Sequence, residues 1–467
     1  MCGILVAYNN SKFNTLLDFL VLLEKIQHRG QDSFGFTYYN NIKTSNVINL
    51  VTKTIKGLIK DNLIENINYK SILSKLFIGH TRYITSGIKT NNVSQPISGL
   101  TQNKETFIIC FNGNINLDLY KNPINNVNYN IDTELIVRFF ENESNNNSLF
   151  ETILVKFMNT FDRAYSIVIY FKDNIYCLRD RYGVRPLLYN ITNNNLLITS
   201  ESCINKELKY TNIEEGQIIK FDLHATIKVI DIYNIHKNQK IKQNQKANCL
   251  FEYIYFMNKD SEWNNINIYN IRGDFGKSLA KDENINIVNN PDNYIVIGIP
   301  NSGIPSAIEY SKTLNIPYKQ YINKNPKINR TFILKDNEKR IKASKEKYIY
   351  NKKELNGKNI ILFDDSIVRG ITIKNIISKL KTLNVKEIHI RIASPPIKYE
   401  CYYGIDIPTK KELIANNFSN IESINTFLGS TSLKYINIEK IKELMGNLNN
   451  NLCSGCFNNN YNSLLDW

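Results

Sequence analysis

The spacing of apolar and polar positions divides the chain into two parts with different periods. In residues 1–235, short apolar runs such as KLFIGH, TFIICF, YSIVIYF and LLYNI recur between Asn- and Gly-rich breaks, the pattern of β-strands bounded by turns. Within that region Leu16, Leu17, Leu20, Leu23 and Ile26 fall at helical spacing and predict one amphipathic helix. Further on, NYIVIGIP and KNIILF are near-continuous apolar runs, as parallel strands covered on both faces require, and each leads through a polar turn into a helical pattern. Ile373, Ile376, Ile377, Leu380 and Leu383 predict the helix of a βαβ unit that EIHIRIAS completes, which argues for a doubly wound parallel sheet. Between the two regions HKNQKIKQNQKAN, residues 236–248, lacks any period and reads as a linker. From about Asn447 the chain is Asn-rich apart from CSGC, with little capacity to form a core of its own. The predicted organisation is therefore a domain at 2–235, a linker at 236–248, a second domain at 249–446 and a tail at 447–467.

Composition narrows the class. A chain of 467 residues exceeds one ordinary core, and 42% hydrophobic with 22% charged residues is the balance of a soluble globular protein. No apolar stretch approaches the roughly 20 residues that span a bilayer, and CGILV is too short for a signal peptide, so a cytoplasmic protein without a membrane partner is expected. The net charge of +15 is spread through a chain equally rich in Asn, Ile and Tyr, the mark of a biased codon pool, and no nucleic-acid partner is expected. Such a field also suits a multiply phosphorylated small substrate. Eight cysteines without a secretory signal point to thiol chemistry or metal binding, not to a disulfide framework.

Two stretches carry chemistry in their residues alone. In MCGILVAY, removal of Met1 would leave Cys2 with a thiol nucleophile and an α-amine of pKa roughly 7.7–8.0, so that one residue supplies attacker and proton carrier. A small buried residue at a strand start is the alternative. In IILFDDSIVRGITI a buried strand ends at two carboxylates, and a glycine-containing loop enters a helix whose N–H groups and dipole can surround a phosphate. Asp364 and Asp365 would repel that phosphate and must serve ribose hydroxyls or Mg²⁺ instead.

The run DDSIVRG resembles the phosphoribosyl diphosphate loop of type I phosphoribosyltransferases. The resemblance implies that Ser366, Ile367, Val368, Arg369, Gly370, Ile371 and Thr372 bind the 5′-phosphate and that Asp364 and Asp365 bind ribose and metal. GIPNSGIPSA resembles the family's diphosphate-side loop, which gives Ser302 the third metal-associated position, with Asn301 where the family has Asp. NKNPKINRTFI and the following KRIK resemble the mobile loop that closes over diphosphate, with Lys324, Arg330, Arg340 and Lys342 as its cations; Pro326 and Asn329 depart from the family pattern. One Mg²⁺ per subunit is implied.

In the first region LEKIQHRGQDSFG, FIGHTRYITSG, CFNGNI and IDTELI resemble, in order, the signatures of class II glutamine amidotransferases. That implies an N-terminal nucleophile hydrolase αββα sandwich. Cys2 becomes the nucleophile, Asn112 and Gly113 the oxyanion hole, and Arg29, Arg82 and Asp132 the glutamine-binding residues. Together the two resemblances imply release of ammonia from glutamine and its channelled transfer to phosphoribosyl diphosphate, displacing diphosphate to give 5-phosphoribosylamine, the opening step of purine synthesis. CLFEYIYFMNKDS resembles the region that shapes the path between the sites, and its sequence fits a structural hinge equally well. Cys249, Cys401, Cys453 and Cys456 match positions at which one branch of these two-domain enzymes binds a [4Fe–4S] cluster, with zinc the alternative for an isolated CxxC. Cys110, Cys177 and Cys203 are expected in cores. The resemblance further implies a homo-oligomer, dimer or tetramer, inhibited by purine nucleotides; members of the cluster-bearing branch often carry a propeptide before the nucleophile, and with only Met1 there in this chain simple methionine removal is expected.

Overall fold

The computed structural model describes the chain except residues 12–13, 41–48, 66, 84–93, 116–131, 145–148, 224–226, 236–245, 326–346, 406, 408 and 462–467. The first domain begins with β1 (Gly3–Asn9), α1 (Leu16–Glu24), β2 (Ser33–Asn40), β3 (Asn49–Lys56), β4 (Leu76–Arg82), β5 (Ile97–Leu100) and β6 (Thr106–Gly113). It continues through α2 (Asp132–Glu143), α3 (Phe150–Thr160), β7 (Tyr165–Phe171), β8 (Asn174–Arg179), β9 (Leu188–Thr192) and β10 (Asn195–Thr199). Three further strands, β11 (Thr211–Asn212), β12 (Gln217–Asp222) and β13 (Lys228–Asn234), complete it.

Seven strands form one sheet in the order β11-β9-β10-β1-β4-β2-β3, and six form a second in the order β13-β12-β8-β7-β6-β5. Strand alternation divides β1 between two cores: Ile4, Val6 and Tyr8 point between the sheets onto Ile108, Cys110 and Val168, while Leu5 and Ala7 face α1. The predicted helix α1 buries Leu16, Phe19, Leu20 and Leu23 on that outer face. On the far side α2 and α3 lay Phe139, Phe140, Phe150 and Phe157 over Phe107, Ile109, Ile167 and Ile169. The result is the expected αββα arrangement of four layers. Cys110, Cys177 and Cys203 are buried in these cores.

The second domain contains α4 (Ile268–Lys281), β14 (Tyr294–Gly298), α5 (Ile304–Leu314), β15 (Asn359–Asp364), α6 (Ile371–Thr382), β16 (Glu387–Ile392), β17 (Ser432–Tyr435) and α7 (Ile438–Met445). Strands β14 to β17 pair in that order, all parallel. In β15, Ile361 and Phe363 face the side covered by α4 and α5, whereas Ile360 and Leu362 face the side covered by α6. Burial on both faces accounts for the unbroken apolar run.

The two domains share a core in which Met1, Tyr182 and Val184 of the first meet Leu250, Phe251, Tyr253 and Tyr403 of the second. Residues 236–245 of the predicted linker lie outside the described residues. Its last part is built into the fold: Ala247 donates to the Tyr182 carbonyl at 2.7 Å, and Asn248–Cys249 pairs in parallel with Leu452–Cys453. The tail, weak in apolar residues of its own, is anchored by Leu452, Cys453, Cys456 and Phe457, which enter this shared core. Among the described residues no helix is long and apolar enough to cross a membrane.

Candidate functional site

Antiparallel pairing of β1 with β4, Gly3 opposite Thr81 and Ile4 opposite His80, brings Cys2 to the end of β4 that carries His80 and Arg82. Across the sandwich β6 contributes Cys110, Asn112 and Gly113. The Cys2 main-chain N–H donates to Asn112 Oδ1 at 3.1 Å. This contact orients the Asn112 amide, leaving Nδ2, which is buried and has no hydrogen-bond partner, as a donor beside Cys2. His80 Nε2 donates to the Phe111 carbonyl at 3.0 Å, so that nitrogen holds a proton and the buried, unpartnered Nδ1 is the open position on the ring. Desolvation pushes the Cys2 thiol up, but the influence of neighbouring His80, with smaller contributions from the amino terminus and the Tyr83 main chain, brings the pKa down to about 6. Cys110, buried close by without such a partner, is pushed well up by desolvation and by Cys2 itself.

Asp132 opens α2 and accepts from the Thr133 N–H at 2.8 Å. Burial raises its carboxyl to about 6, partly opposed by that bond and by the facing charge of Arg82. The charge of Arg82 thus reaches Asp132, and Arg82 itself ends the strand whose register sets it near Cys2. Arg29 is differently engaged. Its Nε donates to the Cys2 carbonyl at 3.0 Å, Nη1 to Glu201 Oε1 at 2.5 Å and Glu252 Oε2 at 3.0 Å, and Nη2 to Glu252 Oε1 at 2.7 Å. It touches the main chain of Cys2 and two carboxylates.

The second constellation lies at the carboxyl ends of the adjacent parallel strands β14 and β15, where open α/β sheets bind ligands. Ser302, in the loop after β14, donates from Oγ to Asp365 Oδ2; Ser366 Oγ donates to Asp365 Oδ1 at 2.6 Å. Desolvation, then the neighbouring charge of Asp365, raises Asp364 well above the usual carboxylate range. Gly370 turns the loop into α6 at φ +77°, and a Cβ there would meet Ile414 Cδ1 at 2.5 Å, so the position admits glycine alone without rearrangement. Ile367 is buried under the loop with Val368 packed against the shared core, Arg369 pairs with Glu412 at 3.1 Å on the outside, and Ile371 and Thr372 start α6. Lys324 ends a short strand whose partner begins at Tyr348; desolvation and the nearby Lys347 lower its pKa while Asp365 opposes them. Arg330, Arg340 and Lys342 lie outside the described residues.

Cys249, Cys453 and Cys456 are buried in the shared core with Cys401 packed against it, and all four thiols are free. Cys249 stands opposite Cys453 in the parallel pair, and the Ile405 N–H donates to Cys401 Sγ at 3.4 Å. Each of the four is raised by desolvation, and Cys456 also by the charges of Cys401, Cys249 and Cys453, which brings them within electrostatic reach of one another. Among the described residues no group of three or more His, Cys, Asp or Glu is set to hold a metal ion.

Sequence reasoning did not single out His80, Glu201, Glu252, Tyr255, Arg272 or Lys347. His80, Glu252 and Tyr255 sit inside quoted motifs. The π-helical turn Glu252–Phe256 places Tyr255 within electrostatic reach of Asp365, Asp364 and Tyr83, next to Arg82, and so between the two constellations.

A sandwich with Cys2 at its open end, joined to a parallel sheet that carries a phosphate-type loop, defines a glutamine amidotransferase fused to a phosphoribosyltransferase. Family profiles agree: one described as a glutamine amidotransferase domain matches residues 80–205, and one described as a phosphoribosyl transferase domain matches residues 262–419. The chain is 32% identical to the amidophosphoribosyltransferase of Methanothermobacter thermautotrophicus over 98% of this chain and 94% of that one. It is 31% identical to the human amidophosphoribosyltransferase over 94% and 87% respectively. The solved glutamine phosphoribosylpyrophosphate (PRPP) amidotransferase from B. subtilis, complexed with ADP and GMP, superposes with a TM-score of 0.81 at 26% identity, covering 98% of this chain and 97% of that one. The chain belongs to the amidophosphoribosyltransferase family, enzymes of the glutamine-dependent first step of purine biosynthesis.

Proposed function

We propose that Cys2, freed of Met1, is the nucleophile of this reaction and that the observation carrying the assignment is the buried, unpartnered Asn112 Nδ2 beside it. The Cys2 thiolate attacks the side-chain carbonyl of glutamine, and negative charge develops on its oxygen. Asn112 Nδ2 and the Gly113 N–H stabilise that oxygen, the α-amine carries a proton to the leaving nitrogen, and the C–N bond breaks to release ammonia and a glutamyl thioester that water hydrolyses. Arg82 holds the substrate carboxylate through its guanidinium fork and Asp132 the α-ammonium. Arg29 supports the loop at Cys2.

Uncharged ammonia then passes along the Glu252–Phe256 turn to C1 of phosphoribosyl diphosphate, where the new C–N bond displaces diphosphate. Ser366 to Thr372 hold the 5′-phosphate by main-chain N–H groups and the start of α6. Lys324, with Arg330, Arg340 and Lys342, offsets charge on the departing diphosphate. Ser302, Asp364 and Asp365 would hold one Mg²⁺, which when bound neutralises the diphosphate; the two adjacent carboxylates fit such a cation. Cys249, Cys401, Cys453 and Cys456 would hold a [4Fe–4S] cluster that ties the tail to the second domain, a reading supported by four free thiols in one core. Purine nucleotides are inferred as inhibitors and a homo-oligomer as the working form; the B. subtilis relative was solved with ADP and GMP.

The test measures glutamate and diphosphate release from glutamine, phosphoribosyl diphosphate and Mg²⁺, with intact mass reporting whether Met1 is removed. Cys2→Ala should lose glutamine-dependent turnover yet keep turnover with high ammonia. Glutamine turnover in that variant, or a retained Met1 in active enzyme, would defeat the assignment.

A further inference from the structure

Glu252 is a fully buried carboxylate that no step above uses. It opens the turn at the start of the second domain, yet both of its oxygens accept from Arg29 of the first, at 2.7 and 3.0 Å. Glu201 alone would neutralise that guanidinium, and it is itself well satisfied, accepting from His28 Nε2 at 2.8 Å, the Asn258 N–H at 2.8 Å and Ser261 Oγ at 2.7 Å. What Glu252 adds is a second, two-pronged hold that fixes the plane of the guanidinium. The remaining donor, Nε, is aimed at the Cys2 carbonyl. On its other side the turn is held by Arg272 of α4, whose Nε donates to the Tyr253 carbonyl and Nη2 to the Met257 carbonyl, each at 2.8 Å. The charge of Arg272 in turn faces Asp365. Hydrogen bonds therefore run from Arg272, which lies within electrostatic reach of Asp365, through the turn and Arg29 to the main chain of Cys2.

We propose that Glu252 is a positioning residue for glutamine cleavage: reaching over from the second domain, it clamps Arg29, whose Nε holds the Cys2 carbonyl, so that the Cys2 nitrogen, the α-amine once Met1 is lost, stays on Asn112 Oδ1. The nucleophile is then correctly placed only while the second domain is docked. The inference rests on the reading of Cys2 as nucleophile. Because a displacement of about 1 Å in a reacting group can cost on the order of a hundredfold, a clamp one residue removed from the chemistry is enough to govern its rate.

The experiment uses the full chain with Glu252→Gln, which keeps shape and removes charge, Arg29→Lys, and the double variant. Glutamate release, ammonia-dependent diphosphate release and thermal unfolding are measured on each. In Glu252→Gln, kcat with glutamine should fall by about tenfold or more, with KM for glutamine and ammonia-dependent turnover within about twofold of wild type. The double variant should be no worse than the poorer single variant, because Glu252 acts only through Arg29. Unchanged glutamine turnover overturns the proposal, and so does a parallel fall of both activities, which marks a brace of the fold only. If Glu252→Gln does not fold, Glu252→Asp, charged but one methylene short, should show the same selective loss to a smaller degree, and wild-type glutamine turnover there overturns the proposal. Glutamine turnover surviving in Cys2→Ala would instead sink the reading of the nucleophile on which it depends.

Discussion

Ser302 and Asp365, 63 residues apart in sequence, are joined by a hydrogen bond from Oγ to Oδ2 that ties the loop after β14 to the loop after β15. Ser366 holds the other oxygen of the same carboxylate. Asp365 is thus oriented before any ligand arrives, with Asp364 beside it raised by desolvation and by Asp365. Bound cation and ribose would stabilise both carboxylates as charged groups.

Replacement of Asp364 by Asn should accordingly remove diphosphate release with either nitrogen source, by about a hundredfold or more, since it would take away one of the two carboxylates proposed to hold the Mg²⁺ that offsets charge on the leaving group. Glutamate release, which needs Cys2 and not this loop, should survive in part. Ammonia-dependent turnover at the wild-type rate in Asp364→Asn, measured at saturating Mg²⁺, would rule out the role given to this carboxylate.

The lowered thiol of Cys2 has a direct readout. Because the thiolate is the reactive form, alkylation of the enzyme by iodoacetamide should rise with pH through a midpoint near 6 and level off above it. In His80→Gln the principal lowering influence is gone, and the midpoint should move to or above the ordinary cysteine range, about 8.5. The same shift adds stability that is fully present above the thiol's unfolded pKa and is lost as pH falls through 6. A midpoint that stays near 6 in His80→Gln would transfer the effect to another group.

Asp132 carries a second pH dependence of known sign. Burial raises its carboxyl to about 6, so below that pH it becomes neutral and would lose the attraction proposed for the α-ammonium of glutamine. KM for glutamine should therefore climb by up to about tenfold per pH unit below 6. The KM for phosphoribosyl diphosphate should follow another profile. Parallel changes in the two constants would show that the pH effect lies elsewhere.

The parts of this architecture that depend on local pattern were legible before any coordinates. The short apolar runs of β4 and β6, the helical spacing of α1 and α6, and the DDSIVRG turn all report local backbone geometry, and the fold retains them. His80, Glu201 and Glu252 were not legible, because each acquires its meaning from a partner far along the chain. A β4 register places His80 beside Cys2, and Arg29 collects carboxylates 172 and 223 residues away. The tail was legible only as a segment without a core of its own, for a related reason: its core is borrowed. Leu452 and Cys453 pair with Asn248 and Cys249, a contact that no property of the last twenty-one residues announces.

That borrowed core leads to the remaining prediction. The Lys398 and Tyr399 N–H groups donate to the Cys456 carbonyl at 3.0 and 3.1 Å, so the segment bearing Cys401 and the one bearing Cys453 and Cys456 are already bound main chain to main chain. Desolvation nevertheless raises all four thiols, a cost that ligation by metal removes by stabilising thiolates. Enzyme prepared without oxygen should contain about four iron and four sulfide per chain. Cys453→Ser should lose that content and unfold at a Tm lower by roughly 5 °C, as loss of a structural metal centre entails. Ammonia-dependent turnover at low temperature should fall less, because Asp364 and Asp365 lie on a different sheet from the Cys249–Cys453 ladder. Iron-free preparations with the same Tm as Cys453→Ser variants would show that the four cysteines are packing residues and that the tail is held by Leu452, Phe457 and its main-chain bonds alone.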